Sequence, residues 1–223
     1  MSMAAQFSTM SDAEIVTEVF EQASLSFCFY SYEIRFCCRR PLSVSPFNSN
    51  DAFNIGSLIR AKFLARHLPY PTREDSTISS ISSTASGSEP APEWANKGIV
   101  ISISTFTGHT LFACTVGAES EVTPDNWIWV EGKRNVVRRF NHSSYYIGRK
   151  LAAAGKTQET AKLPFPEYAT HGGAFPVWLH NAPSSPVAVI VVSGLPQRDD
   201  HMIIVETLME YIPRIQSPTP SVA

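Results

Sequence analysis

The stretch that most constrains this chain is residues 168–195. It contains the apolar run Ala174-Phe175-Pro176-Val177-Trp178-Leu179, then Asn181-Ala182-Pro183-Ser184-Ser185-Pro186, then Val187-Ala188-Val189-Ile190-Val191-Val192. Two runs of strand length joined by turn-forming residues predict a β-hairpin. Small residues break the pattern at both ends, with His171-Gly172-Gly173 before the first strand and Ser193-Gly194 after the second. Glycine allows another group to come close to the backbone, so a site can form at either break.

The other elements are expected to pack around this hairpin. Residues 1–10 read as a disordered start. Ser11 and Glu14 then form a Ser-x-x-Glu capping box for a helix over about 12–24. Residues 25–46 fit neither a helical nor an alternating pattern and read as an insertion. Asn48-Ser49-Asn50-Asp51 caps a second helix over about 50–66, in which Ala52, Phe53, Ile55, Leu58, Ile59 and Phe63 recur at spacings of three and four. The Ser- and Thr-rich residues 72–92 read as a disordered insertion.

Residues 98–106 and 110–116 are two apolar runs about a Thr107-Gly108-His109 turn, a second hairpin. One long helix is expected from about 127 to 154, with Val136, Phe140, Ile147 and Leu151 on its buried face and Gly155 as its stop. A last helix carries Asp199 and Asp200 near its positive end and buries Ile204, Leu208 and Tyr211. Residues 213–223 form a Pro/Ser tail. Hairpins separated by helices make the chain α+β, with one antiparallel sheet and helices packed on it, in a single domain over 11–212.

Composition removes several function classes. A net charge of −2 gives no support for nucleic-acid binding by the whole chain. No apolar run approaches the roughly 18–20 residues of a membrane span. The N-terminus lacks a basic flank followed by a long apolar region, so a cytoplasmic protein is expected. Cys28, Cys37, Cys38 and Cys114 form no Cys-x-x-Cys pair, and no His-x-x-x-His spacing occurs, so no metal site is expected.

The candidate ligand-binding residues fall in three groups. On the long helix, Arg134 and Arg138 are four residues apart and share a face, and Asn135 adds a neutral donor and acceptor. Two guanidinium forks there suit a carboxylate or phosphate; a solvated basic face is the alternative. His171, with Gly172 and Gly173, can move a proton or bind a ligand, or it is a hydrogen-bonded structural residue. Ser193 and Gly194 precede a helix start and form a candidate anion nest, or a plain strand-to-helix turn. His201, near the buried side of the last helix, is a weaker candidate. No Walker loop and no Gly-x-Ser-x-Gly elbow is present.

The motifs His171-Gly172-Gly173-Ala174-Phe175-Pro176-Val177 and Val191-Val192-Ser193-Gly194 with Asp199-Asp200 resemble the GlcG/HbpS-like, or haem-degrading domain, family. Residues Trp127, Lys133-Arg134-Asn135-Val136-Val137-Arg138-Arg139-Phe140 and Ser143-Ser144 resemble its uncharacterised cytosolic branch found in bacteria and fungi, as do Asn50-Asp51-Ala52-Phe53 and Asp200-His201. The resemblance covers about 47–212, apart from the Ser-rich loop. It implies a profilin-like fold with about five antiparallel strands, a homo-oligomer, and haem or another tetrapyrrole as a ligand whose propionates rest on Arg134 or Arg138. Two other functions fit the same residues. One is a metal-independent isomerase, lyase or cyclase in which His171 moves a proton and Arg138 holds a substrate carboxylate. The other is an oligomeric scaffold for a protein partner.

Overall fold

The structure is a computed structural model that describes residues 47–67, 93–179 and 184–216. The expectations for residues 1–46 and 72–92, and for the tail beyond 216, lie outside the described residues. The described elements are α1 (Ser49–His67), β1 (Gly98–Thr105), β2 (Thr110–Gly117), a short 3-10 turn, α2 (Asp125–Phe140), α3 (Ser144–Ala153), β3 (Ala174–Val177), β4 (Ala188–Ser193) and α4 (Gln197–Gln216). The last helix runs through Pro213 to Gln216, past the point where the tail was expected to begin.

Both hairpins form, and antiparallel pairing of β1 with β4 joins them into one sheet of order β2-β1-β4-β3. The described residues therefore contain four strands, against the five or so expected. Pro176 sits in β3, at an edge of this order, where its missing N–H costs least.

Strand alternation divides the core into two layers. Ile99, Ile101 and Ile103 of β1, with Ile190 and Val192 of β4, pack against Ile55, Ile59 and Phe63 of α1 and Ile203 and Ile204 of α4. Val100, Val189 and Val191 face the other way and meet Val130 and Val137 of α2. The cap on α1 is built as expected: Asn48 Oδ1 accepts from the N–H groups of Asn50 (2.8 Å) and Asp51 (3.2 Å), and Asp51 Oδ2 accepts from the N–H of Asn48. Tyr211 Oη donates to Asp51 Oδ1, which ties α4 to the start of α1.

One expectation fails. The long helix over 127–154 is two helices. Asn141 takes the left-handed conformation (φ 57°, ψ 21°), its N–H bonds back to Val137 O, and Ser143 Oγ then accepts from Tyr146 N–H to start α3. Asparagine tolerates this conformation better than most residues, and serine is a preferred N-cap. The pair Ser143-Ser144 is thus a start signal rather than a gap in a continuous face. This break redirects every basic residue beyond it.

Candidate functional site

The glycines at the first hairpin break let the backbone come close, but to other parts of the same chain. A side chain at Gly172 would collide with the Gln197 carbonyl, and one at Gly148 of α3 with the Thr170 carbonyl. Gly173 (φ 117°) passes against Val192 O and would place a Cβ 2.8 Å from Lys133 Nζ. These contacts lock α3, residues 170–173 and the start of α4 together. Gln158 completes the frame. Its Oε1 accepts from Thr170 N–H (2.8 Å) and Oγ1 (3.0 Å), and its Nε2 donates to Tyr168 O.

This frame surrounds an open depression of about 450 Å³ lined by Trp129, Arg149, Lys156, Glu159, Phe165 and His171, among others. The His171 ring meets the Trp129 ring edge-on at 5.1 Å, and Trp129 in turn lies 4.6 Å from Phe165, which is 46% exposed. His171 is exposed toward the depression. Partial desolvation pushes its pKa below the ordinary histidine value. Lys133 and Arg149 push it the same way, and Glu159 opposes them. The ring is therefore neutral near pH 7 and keeps a lone pair. The Glu159 carboxyl is held low, chiefly by its own backbone N–H and by the Thr157 hydroxyl. Arg149 reaches Gln197 Oε1 at 3.5 Å and lies 5.5 Å over the Tyr145 ring. The depression thus combines aromatic walls, a neutral imidazole, two cations and one carboxylate.

The second break is closed. Lys133, 3% exposed, places Nζ 2.8 Å from Asp200 Oδ2, 3.0 Å from Val192 O and 3.2 Å from Ser193 Oγ, so all three ammonium hydrogens have acceptors. Asp200 Oδ1 accepts from Leu195 N–H, and Gly194 N–H also supports the carboxylate. The nest at Ser193 and Gly194 therefore holds the chain's own carboxylate, not an external anion. Burial raises the Asp200 carboxyl to about 6 against the pull of Lys133.

The α2 candidates also sit elsewhere. Arg134 Nη2 donates to Ser102 Oγ on β1 (2.8 Å), and Arg134 also pairs with Glu131. Asn135 Nδ2 donates to Glu167 O, and Arg138 Nε donates to Phe106 O. None of the three lines the depression, so the pairing of His171 with Arg138 expected for an enzyme is not formed. His201 is buried, stacked on Tyr145 at 4.7 Å and 5.8 Å from Phe175. Burial lowers its pKa to about 4, so it is a neutral core residue. Of the residues expected at the site, His171 alone opens into the depression, with Gly172 and Gly173 beneath it. Arg149 was visible only as one of several basic residues on a helix. Lys156, Gln158, Glu159 and Phe165 lie in an irregular segment without periodicity, and no sequence signal points to them. Among the described residues no group of three or more His, Cys, Asp or Glu could hold a metal ion, and no helix is long and apolar enough to cross a membrane.

Comparison with known proteins agrees with the motifs. A UPF0303 protein of Burkholderia cenocepacia is 41% identical over 133 residues, covering 54% of this chain and 77% of that protein. A UPF0303 protein of Rhizobium etli is 43% identical over 111 residues, covering 50% of this chain and 64% of its own. Among solved structures, the crystal structure of Ybr137w superposes with a TM-score of 0.59 at 28% identity, over 77% of this chain and 81% of that one. The family model described as haem degrading protein HbpS-like matches residues 87–209, and the chain belongs to that family.

Proposed function

We propose that this chain is a binding module for a flat, anionic small molecule, with a tetrapyrrole as the leading class, held in the depression at His171. The observation that carries the reading is the neutral imidazole of His171 set among Trp129 and Phe165 with Arg149 and Lys156 lining the same depression. Aromatic rings suit the face of a planar ligand, and the two cations suit its carboxylates. The family description adds haem as the first ligand to test. The residues fit that group: His171 would face the iron, and Arg149 and Lys156, rather than Arg134 and Arg138, would hold the propionates. When bound, haem would supply the chemistry of its iron. The chain's own residues would bind it, orient it and screen one of its faces from water.

Titration of the purified protein with micromolar haemin tests this. A saturable shift of the Soret band is expected, reduced at least about tenfold in affinity by His171→Ala. Absence of any shift in the native chain would exclude the tetrapyrrole. The chain is also proposed to be a homo-oligomer, as the resemblance implies. Light scattering should give a multiple of 24.6 kDa, and a monomer mass would overturn that part.

A further inference from the structure

We infer that α2 and β1 enclose a second site, separate from the His171 depression, in which Arg134, Arg138 and Ser104 take one small oxyanion, a carboxylate or phosphate group. Arg134 lies over Ser102 and Arg138 over Phe106, as their hydrogen bonds of 2.8 and 3.1 Å show. Ser104 is between those two positions on β1 and shares the α2-facing side of the strand with Ser102. The Ser104 hydroxyl therefore belongs to the strip of chain between the two points at which the guanidinium groups are held.

Three features make this a built site rather than a basic surface. First, Ser104 is fully buried and its Oγ has no hydrogen-bond partner among the described residues. Second, Arg134 is 5% exposed, yet its Nε also lacks a partner there. Buried donors are rarely left unsatisfied, because each one forgoes its bonds to water. Third, two cations one helical turn apart face one carboxylate, Glu131, which is itself largely exposed. Burial first, and then the neighbouring Arg134, lower the Arg138 pKa, and Glu131 opposes them. An oxyanion between the two forks would accept from Arg134 Nε, Ser104 Oγ and Arg138 together and neutralise the excess charge.

Entry is from the β1–β2 turn. Arg138 is half-buried there, beside Gly108 (φ 108°), where a Cβ would lie 2.9 Å from Arg138 Nη2. A residue larger than glycine at the turn would crowd that guanidinium.

The test uses the full chain at low ionic strength, with calorimetric titrations of inorganic phosphate and, separately, of succinate. Chloride at matched ionic strength is the control. Saturable binding of at least one of the two is expected, and the tighter one identifies the source of the oxyanion. Arg138→Gln, which keeps a polar helix-forming residue at a half-buried position, should weaken binding at least about tenfold, and Ser104→Ala several-fold. A double variant of His171→Ala and Arg149→Gln should bind as the native chain does. Failure of both anions to bind saturably, or unchanged binding by Arg138→Gln, would overturn the inference. Loss of binding in the His171/Arg149 variant alone would also overturn it, because the anion would then sit in the depression. Failure of haemin to bind, by contrast, bears only on the depression.

Discussion

The two ends of the β3–β4 hairpin carry the same sequence grammar, a polar residue beside glycine, yet they have opposite fates. At Ser193-Gly194 the polar groups are enclosed: Lys133 has three acceptors, and Asp200 fills the nest. At His171-Gly172-Gly173 the glycines are spent on close backbone contacts, and the imidazole is left facing a depression lined by cations and aromatic rings. The difference lies in what crosses behind each break. Lys133 of α2 and Asp200 of α4 meet over the end of β4. Beside His171 the same two helices contribute Trp129 and Gln197, but the short α3 and an irregular segment complete the surroundings without closing over the ring. A closed cluster holds elements together, whereas an open one leaves bonding capacity for a ligand.

The largest expected effect comes from breaking the closed cluster. Lys133→Met would leave the Asp200 carboxylate buried without its cation and cost about 3–5 kcal/mol, measured by urea unfolding near pH 7. Adding Asp200→Leu should recover much of that loss, because two apolar residues no longer leave a charge stranded. If Lys133→Met alone unfolds like the native chain, the cluster contributes nothing to holding α2 and α4 together.

A smaller effect concerns pH. His201 is buried with its pKa lowered to about 4, so its stabilising contribution is present above about 6.5 and is lost as pH falls through 4. Asp200 has the opposite sign. Its carboxyl is raised to about 6, so its contribution is present below about 4 and is lost as pH rises through 6. The two neighbours offset each other between those limits. His201→Phe keeps an aromatic ring against Tyr145 and removes one side of the balance. Relative to the native chain, the variant should gain about 2 kcal/mol on going from pH 7 to pH 5. Parallel denaturation curves at the two pH values would show that His201 does not titrate as a buried neutral ring.

The smallest effect on stability belongs to the open cluster. His171 is exposed, and among the described residues its ring contact is the edge of Trp129, so His171→Ala should change stability by less than about 0.5 kcal/mol. A larger loss would make His171 a structural residue like its counterparts at the other break.

The fold was legible because periodicity decides it. Alternating Ile99, Ile101 and Ile103, and the β-branched run 189–192, read as strands buried on both faces. The break at Asn141 was not legible, since the apolar spacing of Val136, Phe140, Ile147 and Leu151 continues across it. Those residues still share one face: Val136, Tyr146 and Ile147 form a cluster with Phe140 and Leu151 beside it. What the break alters is direction, placing Arg149 at His171 and leaving Arg134 and Arg138 against β1. Across an interrupted helix the apolar spacing can persist while the basic side chains turn elsewhere. What occupies the turn at Ser193-Gly194 was not legible for a related reason. Asp200 was visible as a charge near a helix start, but its partner Lys133 is 67 residues away in sequence.

Which basic helix serves the ligand is tested directly by comparing the haemin affinities of Arg149→Gln and Arg138→Gln. Arg149→Gln should weaken haemin binding by about tenfold, the cost of removing one charged hydrogen-bonding partner, while Arg138→Gln binds as the native chain does. The reverse pattern, with affinity lost at Arg138 and kept at Arg149, would contradict a ligand site at Arg149.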